Sequence, residues 1–209
     1  QMDWVTAGIE TSTTKWQIIG NSVMITPIVI PPMDPQRTRA LSDLLGVPAE
    51  GVPFNTDAWD GYQADRKRLL GAIEKTGKKN AVFITGDIHM SWACEVPKNV
   101  GNYPGAGTAA VEMVCTSITS NNLDDMISVP ENTLGVAAAE VIPASNPQSR
   151  WVNTDAQGYS VLTVTPAATQ MDWFYVVNRD DPRTASYYGK SWMTPAGTAK
   201  LRPVGRPAT

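Results

Sequence analysis

Histidine occurs once in 209 residues, as His89, and cysteine twice, as Cys94 and Cys115. Two cysteines cannot build a zinc site by themselves, and they match none of the spaced Cys/His patterns for one. Charge is scarce as well, at 18% against a usual share of about 25%. Its balance of 17 basic and 20 acidic residues leaves a net charge of -3, without the concentrated basic face that nucleic acid binding requires. No apolar run approaches the roughly 18 residues of a bilayer-spanning helix. The sequence shows no secretory signal peptide, no internal repeat and no low-complexity block. Methionine is not the first residue, and a start at Gln1-Met2-Asp3-Trp4 reads as that of a chain that has lost its beginning.

What is abundant is proline and glycine, 16 of each, together with seven tryptophans, a composition that suggests long ordered loops. Met2, Val5 and Ile9 recur at helical spacing. Trp16 to Pro27 reads as a strand interrupted at Gly20-Asn21-Ser22, where a glycine marks a bulge or a close approach to the backbone. The amide oxygen of Asn21 would suit a hard cation, and an ordinary turn asparagine is the alternative. From Val29 to Asp57 the chain is irregular and proline-punctuated, with a weakly helical patch at Arg39 to Leu45; a loop of this length serves as a functional lid or a connector. Asp57-Ala-Trp59-Asp60-Gly61-Tyr62 then leads into a helix with Leu69, Leu70 and Ile73 on one face. Asp60 and Gln63 have the spacing of a capping box.

Ala81-Val-Phe-Ile-Thr is an uncharged run that stops at Gly86-Asp87-Ile88-His89, the pattern of a strand covered on both faces. Chemistry in α/β sheets sits at the carboxyl ends of the strands. Asp87 and His89 stand there two apart, so an extended segment would let both reach one metal, through oxygen and through imidazole nitrogen. The plainer reading is that Asp87 caps a turn and His89 is a loop residue. Ser91 to Val96 and Ala109 to Thr116 read as an antiparallel pair. Cys94 and Cys115 bracket it, as a cross-strand disulfide or as two buried thiols. Thr116 to Asn122 is a hydroxyl- and amide-rich exit that is either a site loop or the capped start of a helix at Leu123 to Ile127. A small-residue helix follows from Leu134 to Val141. Trp151-Val-Asn, Gly158 to Thr165 and Gln170 to Val177 read as an antiparallel meander, and the tail beyond Asn178 is polar with few hints of order.

Taken together, these segments resemble the carboxy-terminal half of an alkaline phosphatase D-type (PhoD-like) metallophosphoesterase. The resemblance rests on Trp-x-Ile-Ile-Gly-Asn at 16–21, Asp-x-Trp-Asp-Gly-Tyr at 57–62, Thr-Gly-Asp-Ile-His-x-Ser-Trp-Ala at 85–93 and Ser-Ile-Thr-Ser at 117–120. The stretches at 151–159 and 170–174 resemble the closing strands of the same family. It implies an α/β fold of the βαβ-sandwich, calcineurin-like type: a mixed sheet with an antiparallel meander, residues 1–178 forming half of the domain and 179–209 an extension packed on it. It further implies a secreted hydrolase of phosphate monoesters, diesters or phospholipids that uses iron and calcium. Asp87 and His89 match the family's Gly-Asp-x-His metal ligands, with His89 also placed to help protonate a leaving group, and Asn21 lies on a strand approaching the same centre. Trp59, Asp60 and Tyr62 are candidates for a substrate lip. The family's first-half motifs are absent, and a site with iron and calcium needs on the order of six protein ligands. The expectation is therefore a chain completed by an amino-terminal partner. Two other readings are a non-catalytic half that supplies scaffold or regulation, and a carbohydrate- or protein-binding β-domain.

Overall fold

The computed structural model describes residues 1–30, 52–53, 55–126, 128–131 and 133–208. In chain order the elements are α1 (Met2–Thr11), β1 (Gln17–Asn21), β2 (Val29–Ile30), β3 (Val52–Pro53), α2 (Gln63–Lys75), β4 (Ala81–Thr85), β5 (Ser91–Pro97) and β6 (Thr108–Val114). They continue with α3 (Leu123–Met126), α4 (Leu134–Ser145), β7 (Ser149–Asn153), β8 (Gly158–Val164), β9 (Ala168–Val176), β10 (Ser186–Pro195) and β11 (Arg202–Val204). The weakly helical patch expected at Arg39 to Leu45 lies outside the described residues.

The elements build a mixed α/β structure around a five-stranded sheet of order β1-β4-β6-β5-β7. β1, β4 and β6 run parallel, with Gln17 beside Ala81 and Val82 beside Val111, while β5 and β7 run antiparallel. The uncharged sequence of β4 follows from this position, since a strand inside a parallel group loses water on both faces. On one face Phe83, Val96 and Ala110 pack on Leu69, Leu70 and Ile73 of α2 and on Ile9 of α1. On the other, Val82, Val111 and Met113 meet Met171, Trp173 and Trp192 of a second, antiparallel sheet of order β11-β10-β9-β8. The Trp173 indole N–H crosses between the sheets to donate to the Val114 carbonyl at 2.8 Å. A third cluster gathers Trp92, Cys94, Val114 and Val152 with Met24, Ile28 and Met90, beside Ile142 of α4.

Four local readings need correction. Trp151-Val-Asn is not part of the meander: as β7 it pairs with β5 in the first sheet. The meander is instead completed by β10, which lies beyond residue 178 and pairs with β9 from Ser186 to Pro195. β1 ends at Asn21 and does not resume toward Pro27. α4 runs through Pro143 to Ser145.

Candidate active site

Because β1, β4 and β6 are parallel, their carboxyl ends fall together, with Asn21 in register with Thr85 and Thr85 with Val114. The three exits carry Asn21-Ser22, Gly86-Asp87-Ile88-His89 and Cys115-Thr116. Between these exits and the second sheet lies a crevice of about 530 Å³, with Asn21, Ser22, Thr85 and Cys115 at its polar side and Met113, Leu162 and Met171 at its apolar side. A second groove, of about 540 Å³, opens on the other side of Asn21 and is lined by Trp4, Trp59 and Tyr62.

The sequence pictured Gly86 to His89 as extended. The structure instead turns it tightly: Ile88 N–H donates to Gly86 O at 2.9 Å, and Asp87 and His89 both take left-handed conformations, at φ 71° and 58°. Such φ values are uncommon outside glycine, and strained backbone persists where its surroundings over-determine it. Asp87 is exposed and has no hydrogen-bond or ion-pair partner among the described residues. The Nδ1 of His89 lies 2.9 Å from the carbonyl oxygen of Asn121. A carbonyl only accepts, so Nδ1 carries the proton, and in the neutral ring Nε2 keeps its lone pair. This is the support that metal-bound histidines usually have from their surroundings.

The Asn121 carbonyl is itself held in place by the residues after it. The Asn122 side chain accepts from Asp125 N–H and the Asp125 carboxylate accepts from Asn122 N–H, both at 3.0 Å, a reciprocal cap on α3. The Arg179 guanidinium pairs with Asp125, Nη2 to Oδ1 at 3.0 Å, and holds that carboxyl below its usual range. The capping box expected at Asp60 and Gln63 is not formed: Gln63 donates to the Asp60 carbonyl at 2.9 Å, while the Asp60 carboxylate accepts from Ile28 N–H at 3.2 Å. Burial pushes the Asp60 carboxyl up.

The substrate-lip candidates divide between two places. Trp59 and Tyr62 share the groove with Asn21, whereas Asp60 faces a cavity of about 10 Å³ beside Thr26 and Asp87. The Trp59 indole N–H donates to Asn21 Oδ1 at 3.1 Å, and Asn21 Nδ2 donates to Val23 O at 2.6 Å. Asn21 thus has one lone pair of its amide oxygen engaged. Cys94 and Cys115 are free thiols, so the cross-strand disulfide is not formed. No group of three His, Cys, Asp or Glu side chains converges as metal ligands among the described residues.

Sequence reasoning missed Glu112, which is fully buried on β6 and accepts from Ile25 N–H, Thr26 N–H and the Thr85 hydroxyl at 2.7 to 2.9 Å. Its signal was available, as the one acid in the apolar run Thr108–Val114. Arg66 beside it donates from Nε to Ile25 O at 2.7 Å, and burial lowers its affinity for its proton.

The model of the PhoD-like phosphatase family matches residues 1–173. Alkaline phosphatase D of Bacillus subtilis (strain 168) is 27% identical over 206 residues, covering 98% of this chain and 30% of that protein. A solved structure of PhoD superposes with a TM-score of 0.77 at 25% identity, covering 99% of this chain and 35% of that one. The chain therefore spans about a third of the length of these two relatives. Through a family match that runs from the first helix to the ninth strand, this chain belongs to the PhoD-like phosphatases.

Proposed function

We propose that the chain supplies Asp87 and His89 to the metal centre of a phosphoric ester hydrolase, with the remaining ligands on another part of a longer protein. The observation that carries this reading is the Gly86–His89 turn. It presents a carboxylate without a partner among the described residues and an imidazole with Nδ1 already engaged, at the carboxyl end of the central parallel strand. The donors fit the metals that the family resemblance suggests, since calcium takes carboxylate oxygen and iron takes oxygen and imidazole nitrogen. A metal there supplies positive charge that polarises a phosphoryl oxygen and offsets charge on the leaving oxygen.

The chain's own residues have separate tasks. Asp87 binds. His89 is oriented by Asn121 and either binds through Nε2 or holds a proton there for the departing oxygen. Asn21, between crevice and groove, offers its remaining amide lone pair. Trp59 and Tyr62 form an apolar lip beside it, with Asp60 behind, suited to the organic part of a phosphodiester or phospholipid ahead of a monoester. This reading makes the chain the carboxy-terminal half of a calcineurin-like domain that a secreted enzyme completes with its amino-terminal part. In support, the relatives are about three times as long. No described helix is long and apolar enough to cross a membrane.

The lack of any converging group of three His, Cys, Asp or Glu donors among the described residues favours one alternative, a non-catalytic half that scaffolds its partner. The two separate in the full-length protein bearing Asp87→Ala. The catalytic reading expects bound metal to fall and hydrolysis of a bis-aryl phosphate to drop about a hundredfold or more, as for lost ligands and their supports. Unchanged metal and unchanged hydrolysis would leave the scaffold reading standing.

A further inference from the structure

Glu112 lies on β6 at the middle of the mixed sheet with none of its surface exposed. A buried carboxylate is tolerated only when its lone pairs are met, and here three donors meet them from two separate segments. Ile25 N–H reaches Oε1 at 2.9 Å and Thr26 N–H reaches Oε2 at 2.8 Å. The Thr85 hydroxyl donates to Oε1 at 2.7 Å. Thr85 is the last residue of β4, immediately before Gly86-Asp87. Ile25 and Thr26 close the loop that leaves β1 at Asn21, and that loop has no strand partner to fix it.

The rest of the loop is held in the same manner. Asn21 Nδ2 ties back to Val23 O at 2.6 Å, Trp59 N–H donates to Met24 O at 3.2 Å, and Arg66 takes Ile25 O from the other side. Backbone pairing of β1 with β4 ends at Asn21 and Thr85. Beyond that last rung, the carboxylate of Glu112 joins the exit carrying Asn21 to the exit carrying Asp87 and His89 by hydrogen bonds. Cys94, which faces it from β5, stays a neutral thiol because burial, and next the Glu112 charge, push its ionisation up.

We propose that Glu112, acting through Thr85, is a positioning residue that sets the separation of these two donor-bearing exits. The inference rests on the metal-centre reading of Asp87 and His89 and names what holds that centre to its geometry. Sites of this kind need their donors placed to about half an ångström, which a fold that merely stays folded does not need.

The test uses the full-length protein with Thr85→Val, Thr85→Ser, Glu112→Gln and, as control, Asp87→Ala. Valine keeps the volume of Thr85 and loses the hydroxyl; serine keeps the hydroxyl and loses a methyl. Positioning predicts that T85V lowers kcat on a bis-aryl phosphate about tenfold or more with KM little changed, and lowers the metal retained per folded molecule, while T85S stays near wild type. Chelator-stripped T85V should still unfold cooperatively, at a midpoint lowered by the lost hydrogen bond to a buried carboxylate, so metal and kcat are compared per folded molecule. A purely structural Thr85 predicts a lowered unfolding midpoint in T85V with metal and kcat per folded molecule unchanged. E112Q, whose NH2 must face one of the two backbone N–H groups whichever way the amide is turned, should lose more than T85V; if it fails to fold, the Thr85 pair decides. Full metal and kcat in T85V, with both lost in D87A, would overturn the positioning role and leave the metal centre intact. Metal and kcat retained in D87A would remove the metal-centre reading, and the positioning role with it.

Discussion

His89 Nδ1 and the Asn121 carbonyl oxygen, 32 positions apart in the chain, meet at 2.9 Å. The contact fixes which nitrogen of the only histidine faces outward, and it joins the turn after β4 to the loop that starts α3.

His89→Ala separates the two tasks assigned to this ring. If Nε2 holds a proton for the departing oxygen instead of binding metal, alkyl phosphodiesters with poor leaving groups should lose about tenfold to a hundredfold more kcat/KM than activated aryl esters. Equal losses on both series would assign the ring to holding metal alone.

Trp59→Phe removes one donor and little volume. The indole N–H to Asn21 Oδ1 is a neutral hydrogen bond, so denaturant unfolding should report a loss of about 1 kcal/mol. The freed Asn21 amide would then turn, and a larger fall in activity than in stability would show that its orientation matters to the site.

Gly61→Ala tests a close backbone approach in front of α2. A Cβ there would stand 1.9 Å from the Thr56 carbonyl oxygen, which has no flexible side chain to yield. Overpacking of this kind costs about 1–3 kcal/mol, and an unfolding midpoint unchanged from wild type would show that the Thr56 turn gives way instead.

Acid should release the Asn121 loop. The Arg179 hydrogen bond is the largest influence holding the Asp125 carboxyl below its usual value. A carboxyl with a depressed folded pKa stabilises above its unfolded value of about 3.9, and that contribution fades as pH falls through the folded pKa. Wild type should therefore show no loss from this pair between neutrality and about pH 5, then a decline below about 4 that Asp125→Asn lacks. Identical acid limbs in the two proteins would show that the pair contributes nothing.

Much of the first sheet was legible because its signals are local. Ala81 to Thr85 carries no charge, Ser91 to Val96 and Ala109 to Val114 pair as expected, and Leu69, Leu70 and Ile73 mark the buried face of α2. What could not be read depends on partners distant in sequence. Trp151-Val152 alternates as a meander strand would, yet joins β5. β10 looks polar because Ser186 to Lys190 keep at least partial exposure, while its last residues pack on the core. The segment Ile25–Ile28 lacks strand pairing, and its backbone groups and the N–H of Val29 are met by Glu112, Arg66, Asp60, Asn146 and Gln148, spread over more than 80 positions. Asp87 and His89 could be singled out by residue type, but their left-handed backbone could not, since neither type announces it.

The two thiols lie in contrasting surroundings, and this makes the chain self-reporting. Cys94 is fully buried against a carboxylate and resists ionisation, whereas Cys115 is half-buried on the wall of the crevice. Alkylating reagents act on thiolates within reach, so a maleimide dye or spin label added to the native protein attaches beside Asn21 and Thr85 and leaves Cys94 unlabelled. Occupancy of the crevice can thus be followed by fluorescence or electron paramagnetic resonance without introducing a cysteine.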